Sequence, residues 1–133
     1  MAADGLIKVQ SSHGPAETMA RLVTEIQAKG LTVFARIDHA SGAKEVGLSL
    51  RPTELLIFGN AKGGTPLMQS NQEIGIDLPL KALVWQDASG ASWISYNDPA
   101  WLAKRHGLGV EVEPPVKAMA AMLSAVTRVA AAA

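Results

Sequence analysis

His39 and Glu54 are the residues of this chain best suited to moving a proton. His39 closes the alternating segment Leu31 to His39 and is followed at once by ASGAKEVG, Ala40 to Gly47, a run of small and charged residues with two glycines. An imidazole at a strand end beside an exposed loop titrates near neutral pH and can serve as a general base. If its strand pairs with the next apolar run, Glu54 becomes its partner. The ordinary reading of the same placement is a strand-end histidine with no catalytic duty.

A second group is organised for binding. Gly59-Asn60-Ala61-Lys62-Gly63-Gly64-Thr65-Pro66 joins glycines and a lysine to an expected helix start, a combination that holds anions through backbone N–H groups and charge. Asn60 and Lys62 are the candidate ligand contacts. The spacing is not that of a P-loop, and glycines for turning with Thr65 as cap and Pro66 at the first helical position describe a plain strand-to-helix connection. Lys81 and Asn97 extend the binding set from a hairpin that also carries Tyr96 and follows Asp77. A lysine in mid-strand is less expected than one at an edge; Lys81 can pair with Glu54, or be a solvated or interface charge.

Metal chemistry has little to work with. His13, His39 and His106 fall in a turn, at a strand end and in a helix's last turn, without ligand spacing, and there is no cysteine. Neither a metal site nor a cofactor is expected.

Charge and hydropathy exclude other classes. Twelve acidic and twelve basic residues are spread along the 133-residue chain, so no basic patch suits nucleic acid and no charged tail suits a membrane surface. No stretch approaches the roughly 20 apolar residues of a membrane span, and MAADGLIKVQSS lacks the basic-then-apolar order of an export leader. A cytoplasmic, soluble protein is expected. Its length predicts one domain over residues 1–133, with a core over roughly 5–127.

The elements that must position these residues are legible from periodicity. Leu6 to Gln10 predicts a strand, and Pro15 opens a helix striped by Met19, Leu22, Val23 and Ile26. In Leu31 to His39, Val33, Ala35 and Ile37 are expected on one face. Thr53 to Asn60 is apolar enough for a central strand covered on both sides. A short helix from Thr65 to about Glu73 follows. Ile76 to Asp98 reads as a hairpin whose turn, Asp87 to Gly90, suits a type I turn closed by a left-handed glycine. That register sets Trp85 against Trp93, Val84 against Ile94, Ala82 against Tyr96 and Lys81 against Asn97. Asp98-Pro99 caps a further helix, and Pro114-Pro115 precedes an alanine-rich helix whose tail, Ala130 to Ala133, is expected to fray. The order strand, helix, two strands, helix, two strands, helix, helix predicts an α+β two-layer sandwich, mostly antiparallel, with helices on one face. Trp85 and Trp93 then meet on the face the helices leave open, which predicts a dimer interface there.

Read together, RPTELLIFGN, GTPLM, GIDLPLKALVWQD and WISYNDPAWLAKRHG resemble a bacterial family catalogued as domain of unknown function 302, most strongly between Leu31 and Leu108. The resemblance implies a compact α+β fold of TATA-binding-protein-like topology that forms homodimers, and it implies no established activity. Family members commonly have proline after the FGN segment, where this chain has Ala61, and many carry an export signal that this chain lacks. The leading reading is a homodimeric binding or accessory domain for a small polar or anionic ligand. The alternatives are a small acid/base enzyme using His39 and Glu54 and a structural dimer without ligand.

Overall fold

The computed structural model describes residues 3–133. Five strands, β1 (Leu6–Ser11), β2 (Thr32–Asp38), β3 (Thr53–Gly59), β4 (Leu80–Gln86) and β5 (Ser92–Asn97), form one antiparallel sheet in the order β1-β5-β4-β3-β2. The helices are α1 (Pro15–Ala28), α2 (His39–Glu45), α3 (Ala61–Ser70), α4 (Pro99–Arg105) and α5 (Glu113–Ala131), with 3-10 turns at Gln72–Asp77 and Val110–Val112. The α+β two-layer architecture is the one the sequence predicts. Among the described residues, no helix is long and apolar enough to cross a membrane.

Period two in the strands and period 3.6 in the helices meet at one interface. Leu56, Phe58, Leu80, Ala82, Val84, Ile94 and Tyr96 point from the sheet to Met19, Leu22 and Ile26 of α1 and to Leu123 and Val126 of α5, and all are buried. A satellite core of Leu67, Ile74, Leu102 and Val116 ties α3, α4 and the first 3-10 turn to α5. The β4–β5 hairpin has the predicted register from Ala82↔Tyr96 through Trp85↔Trp93. Its turn is closed by Gly90 at φ +89°, whose N–H donates to Asp87 O at 3.0 Å.

Four local expectations are corrected. Ala40 to Gly47 is not an exposed loop; it lies largely in α2, because the Asp38 carboxylate accepts the Ser41 N–H at 2.9 Å and caps a helix there. The helix stops where Gly47, at φ +78°, lets Leu48 N–H reach back to Ala43 O at 2.8 Å. Next, α3 starts at Ala61 under an Asn60 cap, four residues before Thr65, which places Pro66 inside the helix. In β2 a bulge between Val33 and Ala35 sends Val33 to the helix side and Ala35 and Ile37 to the open side, leaving Phe34 54% exposed. Finally, the tail of α5 is anchored, not frayed. Ala130 and Ala131 are buried, and Arg21 donates to the carbonyls of Val129, Ala130 and Ala132 at 3.0–3.2 Å.

β3 is an inner strand, but its two faces differ. Leu56 and Phe58 are buried under the helices, whereas Leu55 and Ile57 are half-buried on the uncovered face. There Ile37, Leu55, Leu83, Ser95 and Lys8 line up across all five strands.

Candidate functional site

The two cores do not fuse completely. Leu78 and Met119 touch both, and beside them a cavity of about 420 Å3 opens between α3, α5 and the adjoining strand ends. Its walls are apolar, with Met68, Met119 and Met122 prominent, and no lining residue is ionisable. Two of its glycines pack closely on Met68 and Leu78. A Cβ at Gly64 would lie 3.7 Å from Leu78 Cδ1 and 3.8 Å from Met68 Cε, and one at Gly75 would lie 3.3 Å from Met68 Sδ.

Asn60 stands at this cavity because the β3 strand ends at Gly59 and the Asn60 side chain caps α3. Its Oδ1 accepts the Gly63 N–H at 2.6 Å. Thr65 is the other polar side chain on the lining. The remaining predicted ligand contacts lie elsewhere. Lys62 is exposed on the first turn of α3, outside the lining. Lys81 faces the uncovered side of the sheet opposite Ile57, and its Nζ donates to Pro79 O at 3.2 Å. Asn97 is exposed at the end of β5 opposite Leu6.

The proposed acid/base pair is not assembled. Glu54 receives both Arg36 Nε at 3.1 Å and Arg36 Nη2 at 3.0 Å, a two-pronged ion pair that occupies both carboxylate oxygens. That hydrogen bonding is the leading reason the Arg36 guanidinium is pushed above its usual pKa. His39 is the exposed first residue of α2, makes no hydrogen bond to Glu54, and neither residue lines the cavity. Nor does Glu54 take Lys81 as partner.

The other histidines hold ends of the fold together. His13 bonds through Nε2 to Ala132 O at 2.6 Å, and His106 Nε2 meets Asp77 Oδ2 at 2.5 Å beside Arg105, which pairs with the same carboxylate at 2.8 Å. Among the described residues, no three His, Cys, Asp or Glu side chains gather closely enough to hold a metal ion.

The model described as "Domain of unknown function DUF302" matches residues 7–126. The chain belongs to this family. The crystal structure of an uncharacterized conserved DUF302 protein from Bacillus stearothermophilus superposes with a TM-score of 0.83, covering 94% of this chain and 97% of that one at 23% identity. That likeness shows the fold alone. Proteins named fluoride-specific ion channel FluC 1 from Brucella suis and from Brucella abortus are each 51% identical over 127 residues, 96% of this chain. The match is 50% of the first and 47% of the second, so this DUF302 chain spans about half the length of the curated relatives it matches.

Sequence reasoning missed the cavity in this DUF302 fold. Its partial signal was Met119 and Met122, one helical turn apart, together with Met68. Nothing local indicates that glycines at 64 and 75 are the residues Met68 packs against beside the cavity. The predicted tryptophan pair is present, with ring centroids 6.3 Å apart and planes at 23°. Both indole nitrogens have partners, Trp85 Nε1 donating to Ser95 Oγ at 2.8 Å and Trp93 Nε1 to Asp87 Oδ2 at 2.9 Å. Lys8 Nζ lies 5.6 and 5.1 Å from the two ring centroids, a cation–π arrangement.

Proposed function

We propose that this chain is a cytoplasmic, homodimeric binding domain that takes a small apolar molecule into the cavity between α3 and α5, and that it does no chemistry on it. The cavity carries the reading. About 420 Å3 of space lined by methionine, leucine and bare backbone is the size and character of a small-molecule site. Methionine suits such walls, because its unbranched thioether adapts to a guest. The separation of His39 and Glu54 from the cavity favours binding over the enzyme alternative, and a purely structural dimer has no use for the space. Apolar walls also favour an apolar guest over the polar or anionic ligand suggested by Lys62, Lys81 and Asn97.

The test is a titration with Nile red, a neutral dye whose emission rises in apolar surroundings. Saturable binding at one site per chain is expected. It should be lost in Gly64→Leu, whose added side chain grows toward Leu78 and Met68. Absence of binding, or binding that the filled variant retains, would overturn the reading.

The half-length match favours a second statement, about what the domain serves. The matched half resembles a chain in which no described helix is long and apolar enough to cross a membrane, so we infer that conduction in those Brucella proteins belongs to their other half. This domain then acts beside a membrane channel as an accessory. Fluoride efflux from vesicles containing the Brucella suis protein without its matched half is expected to persist. Efflux supported by the matched half alone would refute the assignment.

A further inference from the structure

We infer that the cavity selects neutral ligands bearing a carbonyl-type hydrogen-bond acceptor on an apolar body, with the Asn60 amide as the anchoring donor; this rests on reading the cavity as a binding site. The first ground is charge. No ionisable side chain lines the space, so an ion entering it would shed its hydration without meeting a counter-charge.

The second ground is the orientation of Asn60. Its Oδ1 is the atom that accepts the Gly63 N–H at 2.6 Å, because a backbone N–H can only bond to the amide oxygen. The amide is thereby fixed, and its Nδ2, on an exposed residue at the mouth of the cavity, is left with two donors and no protein hydrogen-bond partner among the described residues. Thr65, the other polar side chain on the lining, carries a hydroxyl that can donate as well. The rim therefore offers donors, and the matching ligand group is an acceptor: a ketone, ester or amide oxygen. The apolar body would lie against Met68, Met119 and Met122.

Asn60→Asp separates anchoring from folding. Aspartate caps a helix as well as asparagine does and still accepts the Gly63 N–H, but it has no Nδ2 donors. Displacement of Nile red from the full chain would be measured with 2-undecanone, undecane and undecanoate at pH 8, in the native protein, Asn60→Asp and Thr65→Val. Asn60→Asp is expected to weaken 2-undecanone about fivefold, the scale of one neutral hydrogen bond, and to leave undecane within about twofold. Thr65→Val should weaken the ketone by a smaller factor. Equal losses for ketone and hydrocarbon would overturn the anchoring role while leaving the cavity a binding site. Tighter binding of undecanoate than of the ketone would overturn the selection for neutral ligands. Failure of the dye and all three probes to bind the native protein would remove the reading beneath both.

Discussion

Trp93 Nε1 donates to Asp87 Oδ2 at 2.9 Å, tying an indole on the open sheet face to the turn that sets its register. The other carboxylate oxygen accepts the Ser89 N–H and hydroxyl and the Ala91 N–H, at 2.9, 2.7 and 3.0 Å. These donors, the Ser89 hydroxyl foremost and Trp93 next, lower the Asp87 pKa to about 2 from an ordinary value of 3.8. A depressed carboxylate contributes stability that is fully present above the ordinary value and is lost as pH falls through the folded one. The hairpin turn is therefore expected to loosen between about pH 4 and about pH 2. The tryptophan emission of the native protein minus that of Trp93→Phe should titrate in that window, and Asp87→Asn should abolish the step. A midpoint at the ordinary carboxylate value would show that the Trp93 and Ser89 bonds do not form.

Asp98 acts on the helix that follows the hairpin. Its Oδ1 accepts the Ala100 N–H at 3.0 Å, with Pro99 at the first helical position. Asp98→Ala is expected to lower unfolding free energy by about 0.5–2 kcal/mol in urea melts with assembly unchanged. A changed oligomeric state at unchanged stability would contradict a capping role.

Arg21 holds the last turn of α5, where the end carbonyls lack intrahelical donors and His13 and Ser12 supply two more bonds. Arg21→Ala is expected to cost about 0.5–1.5 kcal/mol, through lost hydrogen bonds to largely solvated carbonyls and a lost favourable charge at a helix C-terminus. Amide exchange from Ala130 to Ala133 should accelerate well beyond that in the middle of α5. Uniform acceleration along the helix would mean that the contact stabilises only the global fold.

The homodimer we propose pairs the uncovered sheet faces. Ile37 is 41% exposed on this face, and from it an apolar row runs through Leu55 and Leu83 toward the stacked tryptophans, with Ser95, Lys8 and Lys81 beside it. Aromatic residues near the centre of such a patch usually carry much of the association energy. Trp93→Glu should sediment as a folded monomer with unchanged far-ultraviolet circular dichroism. Dimers that survive this change would place the interface elsewhere and leave the rings covered by Lys8 alone.

What was legible in the sequence followed from short-range rules. The hairpin register follows from one aspartate and one glycine, and the α1 stripe from spacing alone. Less was legible wherever a residue's role depended on partners distant in sequence. Asp38 and Asn60 are both helix caps, but each sits beside glycines and small residues that read equally well as loop. Strand adjacency points Glu54 at His39 or Lys81, yet Arg36, on the neighbouring strand β2, takes both its oxygens. The cavity was invisible for a related reason. Empty space is a property of several elements at once, and no single stretch of chain encodes it.

The strand order has a consequence for the route by which the sheet assembles. Five residues separate β4 from β5, whereas 80 separate β1 from its partner β5. That ratio is about four doublings of loop length, or about 2.4 kcal/mol of extra closure entropy at roughly 0.6 kcal/mol per doubling. Hairpin contacts should accordingly form early and the β1 pairing late, so that the beginning of the chain is the last thread drawn into the fabric. Until then β5 is a raw edge exposing the backbone groups of Ile94 and Tyr96. Pulse-labelled hydrogen exchange during refolding should find the Val9 amide, which faces Ile94 of β5, protected after that of Trp85, which faces Trp93 across the hairpin; the reverse order would mean that β1 is recruited by α5 before the hairpin closes.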